Sequence, residues 1–264
     1  MPDAARSTIR FSVIIPAYNA AKTIVRAIES CLQQSYPPAE IIVVNDASSD
    51  DTEQVILADF NDRIRYISLT KNRGAGGARN EGLKLATGDF IAFQDADDVW
   101  HKDKLQLIAD QLSQNASIRF LYHPYTLSSV DYDARKRTFS TTKYPLKKLL
   151  WSNPIGTPCT VLINDGKLRF NEDMRYMEDF DLWLRAGDKY GIWFLDLPLT
   201  QINRPILSEG GLSSNRWRMR KGEIKAYIHL SKRNPLYYPL LPFLIGFGLF
   251  KHFIKSFSPP RSNY

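Results

Sequence analysis

The 264-residue sequence predicts an α/β fold: a mostly parallel central sheet flanked by helices, with a helical, basic and apolar C-terminal tail. Three observations predict it. Apolar strand-like runs alternate with segments of helical period through the first half, and the intervals between runs are those of βαβ units. An apolar content of 44% suffices for a full hydrophobic core at this length.

In chain order, Phe11–Pro16 (FSVIIP) reads as a buried strand. Over Ala21–Gln34, residues Ile24, Ala27, Ile28, Cys31 and Leu32 share one helical face. Glu40–Asn45 is a second strand, Asp51–Phe60 a second helix and Ile64–Ser68 a third strand. Ala75–Ala86 reads as a helix, Phe90–Gln94 as a fourth strand, Lys102–Leu112 as a helix and Ile118–Tyr122 as a fifth strand. This Rossmann-like half covers about residues 9–125. The pattern loosens over about residues 126–215, where Asp131–Thr142 is polar and reads as loop or edge hairpin. Thr160–Asn164 and Trp193–Leu197 read as strands, Asp179–Lys189 and Arg216–Arg233 as helices.

Charge divides the chain at the same place. From Gln201 onward there are 11 Lys/Arg and 2 Asp/Glu, a net +9, whereas the first 200 residues carry −2. Leu236–Phe250 is uncharged and followed by Lys251, His252 and Lys255. A spanning helix needs about 20 apolar residues, and Pro239, Pro242, Gly246 and Gly248 interrupt this run. It reads as an interfacial segment with a cationic border, or as a tail packed on the core. Residues 216–264 are therefore expected to form a separate segment that can meet an anionic membrane surface. The basic tail alone would also suit nucleic acid, but its Pro-broken apolar run favours lipid, and no nucleic-acid partner is expected. Met1–Arg10 lacks a signal-peptide pattern, and Cys31 and Cys159 have no metal or redox spacing. The expected setting is cytoplasmic, with peripheral attachment to the membrane's cytoplasmic face.

Ligands of open α/β sheets collect at the carboxyl ends of the strands. Three predicted strands end in polar residues: the first at Pro16-Ala17-Tyr18-Asn19, the second at Asn45-Asp46, the fourth at Gln94-Asp95-Ala96-Asp97-Asp98. Asp50 or Asp51 reads as a turn or helix cap. Asp95, Asp97 and Asp98 crowd three carboxylates into four residues, a repulsion that a hard divalent cation would relieve. Asp98 also fits as a cap, which leaves Asp95 and Asp97 for metal and ligand.

Gly74-Ala75-Gly76-Gly77-Ala78-Arg79 is not a dinucleotide fingerprint, because Arg79 stands where the third glycine belongs and the stretch follows the third strand. Its glycines can present N–H groups to an anion or simply pack a helix, and Arg79 can meet a phosphate. Glu178, Asp179 and Asp181 open a predicted helix, either as dipole-favoured capping acids or with one of them as a general base.

Taken together, these motifs resemble the family 2 glycosyltransferases, an inverting group of the GT-A fold. The likeness runs over roughly Phe11 to Leu184 and is closest to the non-processive members that build bacterial surface polysaccharides. Val13-Ile14-Ile15-Pro16-Ala17-Tyr18-Asn19 and Val43-Val44-Asn45-Asp46 are similar to the family's nucleotide-contacting turns, which implies that Asp46 receives the base's imide N–H. Asn72-Arg73-Gly74 through Asn80-Glu81-Gly82 is similar to an element beside the donor, and Asp95-Ala96-Asp97 occupies the place of the D-x-D motif. The resemblance implies that Asp95 contacts the donor and Asp97 binds Mg²⁺ or Mn²⁺. Glu178-Asp179 falls at the E-D pair, with Asp179 implied as catalytic base. Ser213-Ser214-Asn215-Arg216-Trp217 is close to the Q-x-x-R-W signature of processive members, but serine replaces glutamine. Arg216 and Trp217, with Asp181, are expected near the acceptor.

The implied enzyme is a metal-dependent inverting transferase in a domain of residues 1–215, with a donor half and an acceptor half. Its donor is a nucleotide sugar, expected to be a UDP-sugar, and its acceptor a glycan or lipid-linked oligosaccharide. A sugar-nucleotide nucleotidyltransferase would place a Gly-rich loop after the first strand, where this chain has Ala17-Tyr18-Asn19-Ala20-Ala21. A non-catalytic nucleotide-sugar binder would not need the D-x-D and E-D elements.

Overall fold

The structure, a computed structural model, describes residues 8–203 and 215–257. The first half runs β1 (Phe11–Ala17), α1 (Ile24–Leu32), β2 (Glu40–Asn45), α2 (Thr52–Phe60), β3 (Arg65–Ser68), α3 (Gly74–Leu85), β4 (Phe90–Phe93), β5 (Val99–Trp100) and α4 (Lys104–Gln114). It continues through β6 (Phe120–Tyr122), β7 (Tyr125–Thr126), β8 (Thr141–Tyr144), α5 (Leu146–Trp151), β9 (Thr160–Ile163) and α6 (Glu178–Tyr190). The last elements are β10 (Ile192–Leu195), β11 (Thr200–Gln201), α7 (Arg216–Arg233) and α8 (Leu241–Phe257).

The main sheet has the order β3-β2-β1-β4-β9-β6-β10-β8. β1 pairs in parallel with β2 and β4, β2 with β3, and β10 with β6. β9 is antiparallel to both β4 and β6, and β8 to β10. The predicted parallel nucleus is present, and the antiparallel strands belong to the looser second half. A second, three-stranded sheet, β5-β11-β7, was not anticipated. Its strands are two residues long, too short to show a period, and contacts far apart in the chain assemble them.

β1 explains why its sequence is uniformly apolar. Val13 and Ile15 point into a cluster with Ile24, Ile28, Leu105 and Ile108, on one side of the sheet. Ile14 points to the other side, with Ile91, Phe93, Phe180 and Trp183. A strand covered on both faces loses the polar half of its alternation. α3 lies close over β1 because Gly82 carries no side chain: a Cβ there would stand 2.6 Å from Ile14 Cγ2.

The change in charge at residue 216 is not a change in packing. α7 buries Ala226, Tyr227 and Leu230 in the same cluster as Trp183, and the Tyr227 hydroxyl donates to the Leu150 carbonyl at 2.6 Å. α8 then packs through Leu244, which is 2% exposed, while Phe243, Phe250 and Phe253 stay 58–70% exposed. The packing half of the expectation for the apolar run is met. One face joins the core and the other remains outside, and among the described residues no helix is long and apolar enough to cross a membrane.

Candidate active site

Because β2, β1 and β4 are parallel neighbours, their polar carboxyl ends lie side by side at one edge of the sheet. Pro16 and Ala17 lie in register with Val44 and Asn45, which brings the two loops together. Asp46 N–H donates to the Ala17 carbonyl at 2.8 Å, Asn19 N–H to Ser48 Oγ at 3.0 Å, and Ser49 N–H to Asn19 Oδ1 at 2.8 Å. Asn19 and Ala47 hold left-handed backbones, with φ of 49° and 56°. Tyr18 projects from this turn, half exposed. Asp50 is a turn residue, accepting from the Thr52 and Ala21 N–H groups at 3.1 and 3.2 Å.

Asp46 is buried, and its Oδ1 accepts the Arg73 N–H at 2.7 Å. Burial pushes its carboxyl above the usual range, against the pull of the Arg73 and Gly74 N–H groups. Beside it opens a recess of about 710 Å³ walled by Leu69, Asn72, Arg73, Glu172 and Asp173. That volume is of the size that holds a nucleotide.

Asp95, Ala96 and Asp97 follow β4, all half-buried. Two of the three carboxylates of this loop have partners elsewhere in the fold. Asp95 Oδ1 receives Arg79 Nη2 at 2.6 Å. Asp98 is not a helix cap. It is buried, accepts the Asn203 N–H at 3.0 Å, and so ties the loop to the end of β11. Burial, with Asp95 and Asp97 nearby, pushes it up to about 8. Among the described residues no three His, Cys, Asp or Glu side chains converge into a ready-made metal cage. Asp97 with Asp95 still fits Mg²⁺ or Mn²⁺ chemistry, because such ions bind through one or two carboxylates together with substrate phosphates.

Arg79, expected at a phosphate, is 5% exposed and faces Asp95, with Glu178 at 3.9 Å and the Phe170 ring centroid at 5.4 Å. The glycines around it do pack: a Cβ at Gly76 would stand 3.0 Å from Glu178 Cγ. Arg79 therefore links the Asp95 loop to the start of α6, where Met177 has a φ of 60°. Glu178 is buried there, pushed up to about 7 by burial and by Asp179, with Arg79 opposing. Burial raises Asp179 as well, although its Oδ1 accepts the Phe180 N–H at 2.7 Å. Both adjacent carboxyls are thus held above the usual range, which favours a retained proton on the pair.

Asp181, expected beside the acceptor, is instead committed to the interior. It is 2% exposed and holds Arg185 Nε at 2.7 Å and His229 Nδ1 at 2.9 Å. One helical turn from Glu178, its side chain goes to α7. Arg216 and Trp217 are exposed on the first turn of α7, which Asn215 caps by accepting the Arg218 N–H at 3.0 Å. That turn reaches the segment before α6 at Tyr176, whose hydroxyl accepts from Arg218 Nη1 at 3.1 Å. Ser213 and Ser214 lie outside the described residues.

Sequence reasoning missed the strut behind the site. Asn80 accepts the Phe170 N–H at 2.8 Å and donates to the Phe170 carbonyl at 2.9 Å, and Arg73 bridges Glu81 and Glu172. Asn80 and Phe170 lie 90 residues apart and Arg73 and Glu172 lie 99 apart, and polar residues give no local sign of so distant a mate. Lys104 was missed too. It is fully buried, donates to the Pro158 carbonyl at 2.6 Å and stands 3.8 Å over the Trp100 ring.

Residues 12–169 match the family described as Glycosyl transferase family 2. The chain is 34% identical over 212 residues to the Escherichia coli UDP-Glc:alpha-D-GlcNAc-diphosphoundecaprenol beta-1,3-glucosyltransferase WfgD, covering 80% of this chain and 82% of that one. Its fold is similar to that of S. aureus TarS 1–349 in complex with UDP-GlcNAc, with a TM-score of 0.71, 24% identity, and coverage of 95% and 74%. It is also similar to the Pyrobaculum calidifontis mannosyltransferase PcManGT in complex with GDP-Man and Mn²⁺, with a TM-score of 0.63, 17% identity, and coverage of 97% and 77%.

Proposed function

The chain belongs to glycosyl transferase family 2 and is a glycosyltransferase of the GT-A fold, and on that premise we propose that it transfers sugar from a nucleotide diphosphate to a hydroxyl of a lipid-linked glycan. The observation that carries this reading is the position of Arg79, paired with Asp95 and 3.9 Å from Glu178, which brings the Asp95–Asp97 loop beside the Glu178–Asp179 pair. A relative whose name specifies UDP-Glc and a diphosphoundecaprenol acceptor supports uridine as the base and a lipid-linked acceptor.

In this reading the nucleotide lies along the Pro16–Asn19 turn, with Asp46 at the base and the 710 Å³ recess beside it. Asp97, with Asp95, would hold the Mg²⁺ or Mn²⁺ that neutralises charge on the diphosphate leaving group. A fold neighbour solved with Mn²⁺ supports a divalent ion of this kind. Arg79 holds Asp95 in place and carries positive charge into the cleft floor. Asp179 accepts the acceptor's hydroxyl proton at its carboxylate as the oxygen bonds to the anomeric carbon and the nucleotide diphosphate departs. One displacement inverts the configuration. Glu178, buried beside it, is itself pushed up to about 7 by burial and by Asp179.

The exposed face of α8 and the basic residues of α7 are assigned to an anionic membrane surface on the cytoplasmic side, where such an acceptor would be held. The deciding experiment is a nucleotide-sugar hydrolysis and binding screen, with and without Mn²⁺, on wild type and Asp97→Asn. The reading requires one UDP-sugar to be turned over, and turnover to be lost in excess EDTA and in Asp97→Asn. Undiminished activity in EDTA would remove the metal from the mechanism.

A further inference from the structure

A second recess, of about 420 Å³, lies along α6 beyond the catalytic pair, and nothing in the transfer chemistry above uses it. Its walls carry Lys167, Arg169, Arg185, His229, Lys232 and Arg233, contributed by the 167–171 segment, α6 and α7. Against five permanent cations stands one carboxylate, Asp181. That carboxylate is already shared by Arg185 and His229, as described above. Among the described residues, Lys167, Arg169, Lys232 and Arg233 have no ion-pair partner.

We propose that this recess is a subsite for a phosphate group carried by the acceptor, a proposal that rests on the glycosyltransferase reading. The first argument is charge. Like charges converging on one recess repel, and a neutral sugar hydroxyl would do nothing to offset that repulsion. A phosphate would, because its oxygens accept charge-assisted bonds from several guanidinium and ammonium groups at once.

The second argument is construction. Arg185 is fixed in the floor, with Nε on Asp181 and Nη2 donating to the Arg169 carbonyl at 2.7 Å. Arg185 is held below the usual guanidinium range by burial, with Asp181 opposing and Arg233 adding to the effect. Lys167, Lys232 and Arg233 are exposed at the rim. A fixed floor with adaptable cations around it suits a small anion, and the volume is at the lower end for ligand pockets.

The third argument is place. Arg185 lies six residues after Asp179 on one helix, about 9 Å along its axis. Phe170 lines the recess, and its ring centroid lies 5.4 Å from the Arg79 guanidinium that pairs with Asp95. The recess and the acid loop are therefore both neighbours of one aromatic residue, and the E-D pair begins the helix that carries Arg185. A phosphate in the recess would hold a phosphorylated acceptor with its sugar directed toward Asp179.

The test uses the full chain and the double variants K232Q/R233Q and K167Q/R233Q, whose positions are exposed and leave the Asp181–Arg185 pair intact. Pyrophosphate is titrated calorimetrically with the donor site saturated by UDP, so that only a second site is read. The proposal expects wild type to bind and each double variant to bind roughly tenfold more weakly or worse. KM for a phosphorylated acceptor sugar should rise in the variants, KM for the same sugar without phosphate should not, and donor hydrolysis should stay at the wild-type rate. Equal pyrophosphate binding in wild type and variants would overturn the subsite. So would variants that lose binding to phosphatidylglycerol vesicles yet keep the wild-type KM for the soluble phosphorylated acceptor, since the recess would then serve the bilayer. Failure of wild type to bind UDP or hydrolyse any nucleotide sugar would instead overturn the glycosyltransfer chemistry on which the acceptor assignment stands.

Discussion

Glu178 and Asp179 occupy one helix end, and burial there sets their proton affinities. An ordinary carboxylate stays ionised down to about pH 4. A base that must be ionised, and that burial holds above the usual carboxylate range, loses activity at a higher pH than an ordinary carboxylate would. The rate profile should therefore show an acid limb lying above the ordinary carboxylate range, measured as kcat at saturating donor and acceptor. Asp179→Asn should lower turnover by about 10²–10⁴ while UDP binding is kept. Near-normal turnover in that variant would move the role to Glu178. A second residue-level prediction concerns Lys104, lowered to about 7 by burial, with the nearby Cys159 and Cys31 opposing. Between about pH 7 and 10 the unfolded chain holds a proton on this residue that the folded chain lacks, so stability gains with pH in that window. Replacement by Met should remove this gain, seen as a flatter Tm-versus-pH curve than wild type. The Pro158 carbonyl would keep donors from Trp100 Nε1 and Thr200 Oγ1, so the variant should fold.

Element contacts carry the geometry from one side of the cleft to the other. α7 passes the Tyr176–Met177 turn at Gly222, where a Cβ would stand 2.4 Å from the Tyr176 carbonyl oxygen. Gly222→Ala must push that turn, and with it the start of α6. Overpacking of this kind costs about 1–3 kcal/mol. The expected outcome is a lowered Tm together with a reduced kcat and a largely unchanged affinity for UDP. Gly82→Ala, against Ile14, should cost similar stability, and a wild-type Tm in either variant would refute the close packing. The helices of the first half were legible in the sequence because their apolar residues repeat with helical spacing. α1 begins at Ile24, three residues after the expected Ala21, because residues 21–23 form a turn held by the Asp50 and Ala20 groups. α5 and the short strands β5, β7 and β11 gave no comparable period.

At the scale of the molecule, charge and apolar surface are concentrated at one end of the chain. α7 presents exposed Lys221, Lys225, Lys232 and Arg233, and α8 presents Phe243, Gly246, Phe250 and Phe253 on one face. Basic residues near an anionic bilayer contribute roughly 1 kcal/mol each. Flotation with phosphatidylglycerol vesicles should therefore carry the protein upward at low salt, less so at high salt. Phe243→Ser/Phe250→Ser should weaken flotation without changing Tm, since both side chains are exposed. A protein indifferent to such vesicles would leave α8 as a packing element alone. Removing the chain after Asn215 is not an equivalent test, because Tyr227 and Leu230 belong to the core.

By itself the sequence determined the parallel nucleus, the order of its helices and the carboxylates of the cleft. Apolar period and strand-end polarity are local, so they survive in a one-dimensional reading. The tertiary structure decided which of those acids face one another. It turned Asp98 into a buried tie to Asn203, Asp181 into a partner of Arg185 and His229, and Arg79 into the link between Asp95 and Glu178. An acid near a strand or helix end has the same local pattern whether it meets a ligand, a cap or a distant arginine. The choice is made by the groups that folding places within hydrogen-bond reach, among them Asn203 for Asp98 and His229 for Asp181, 105 and 48 positions away.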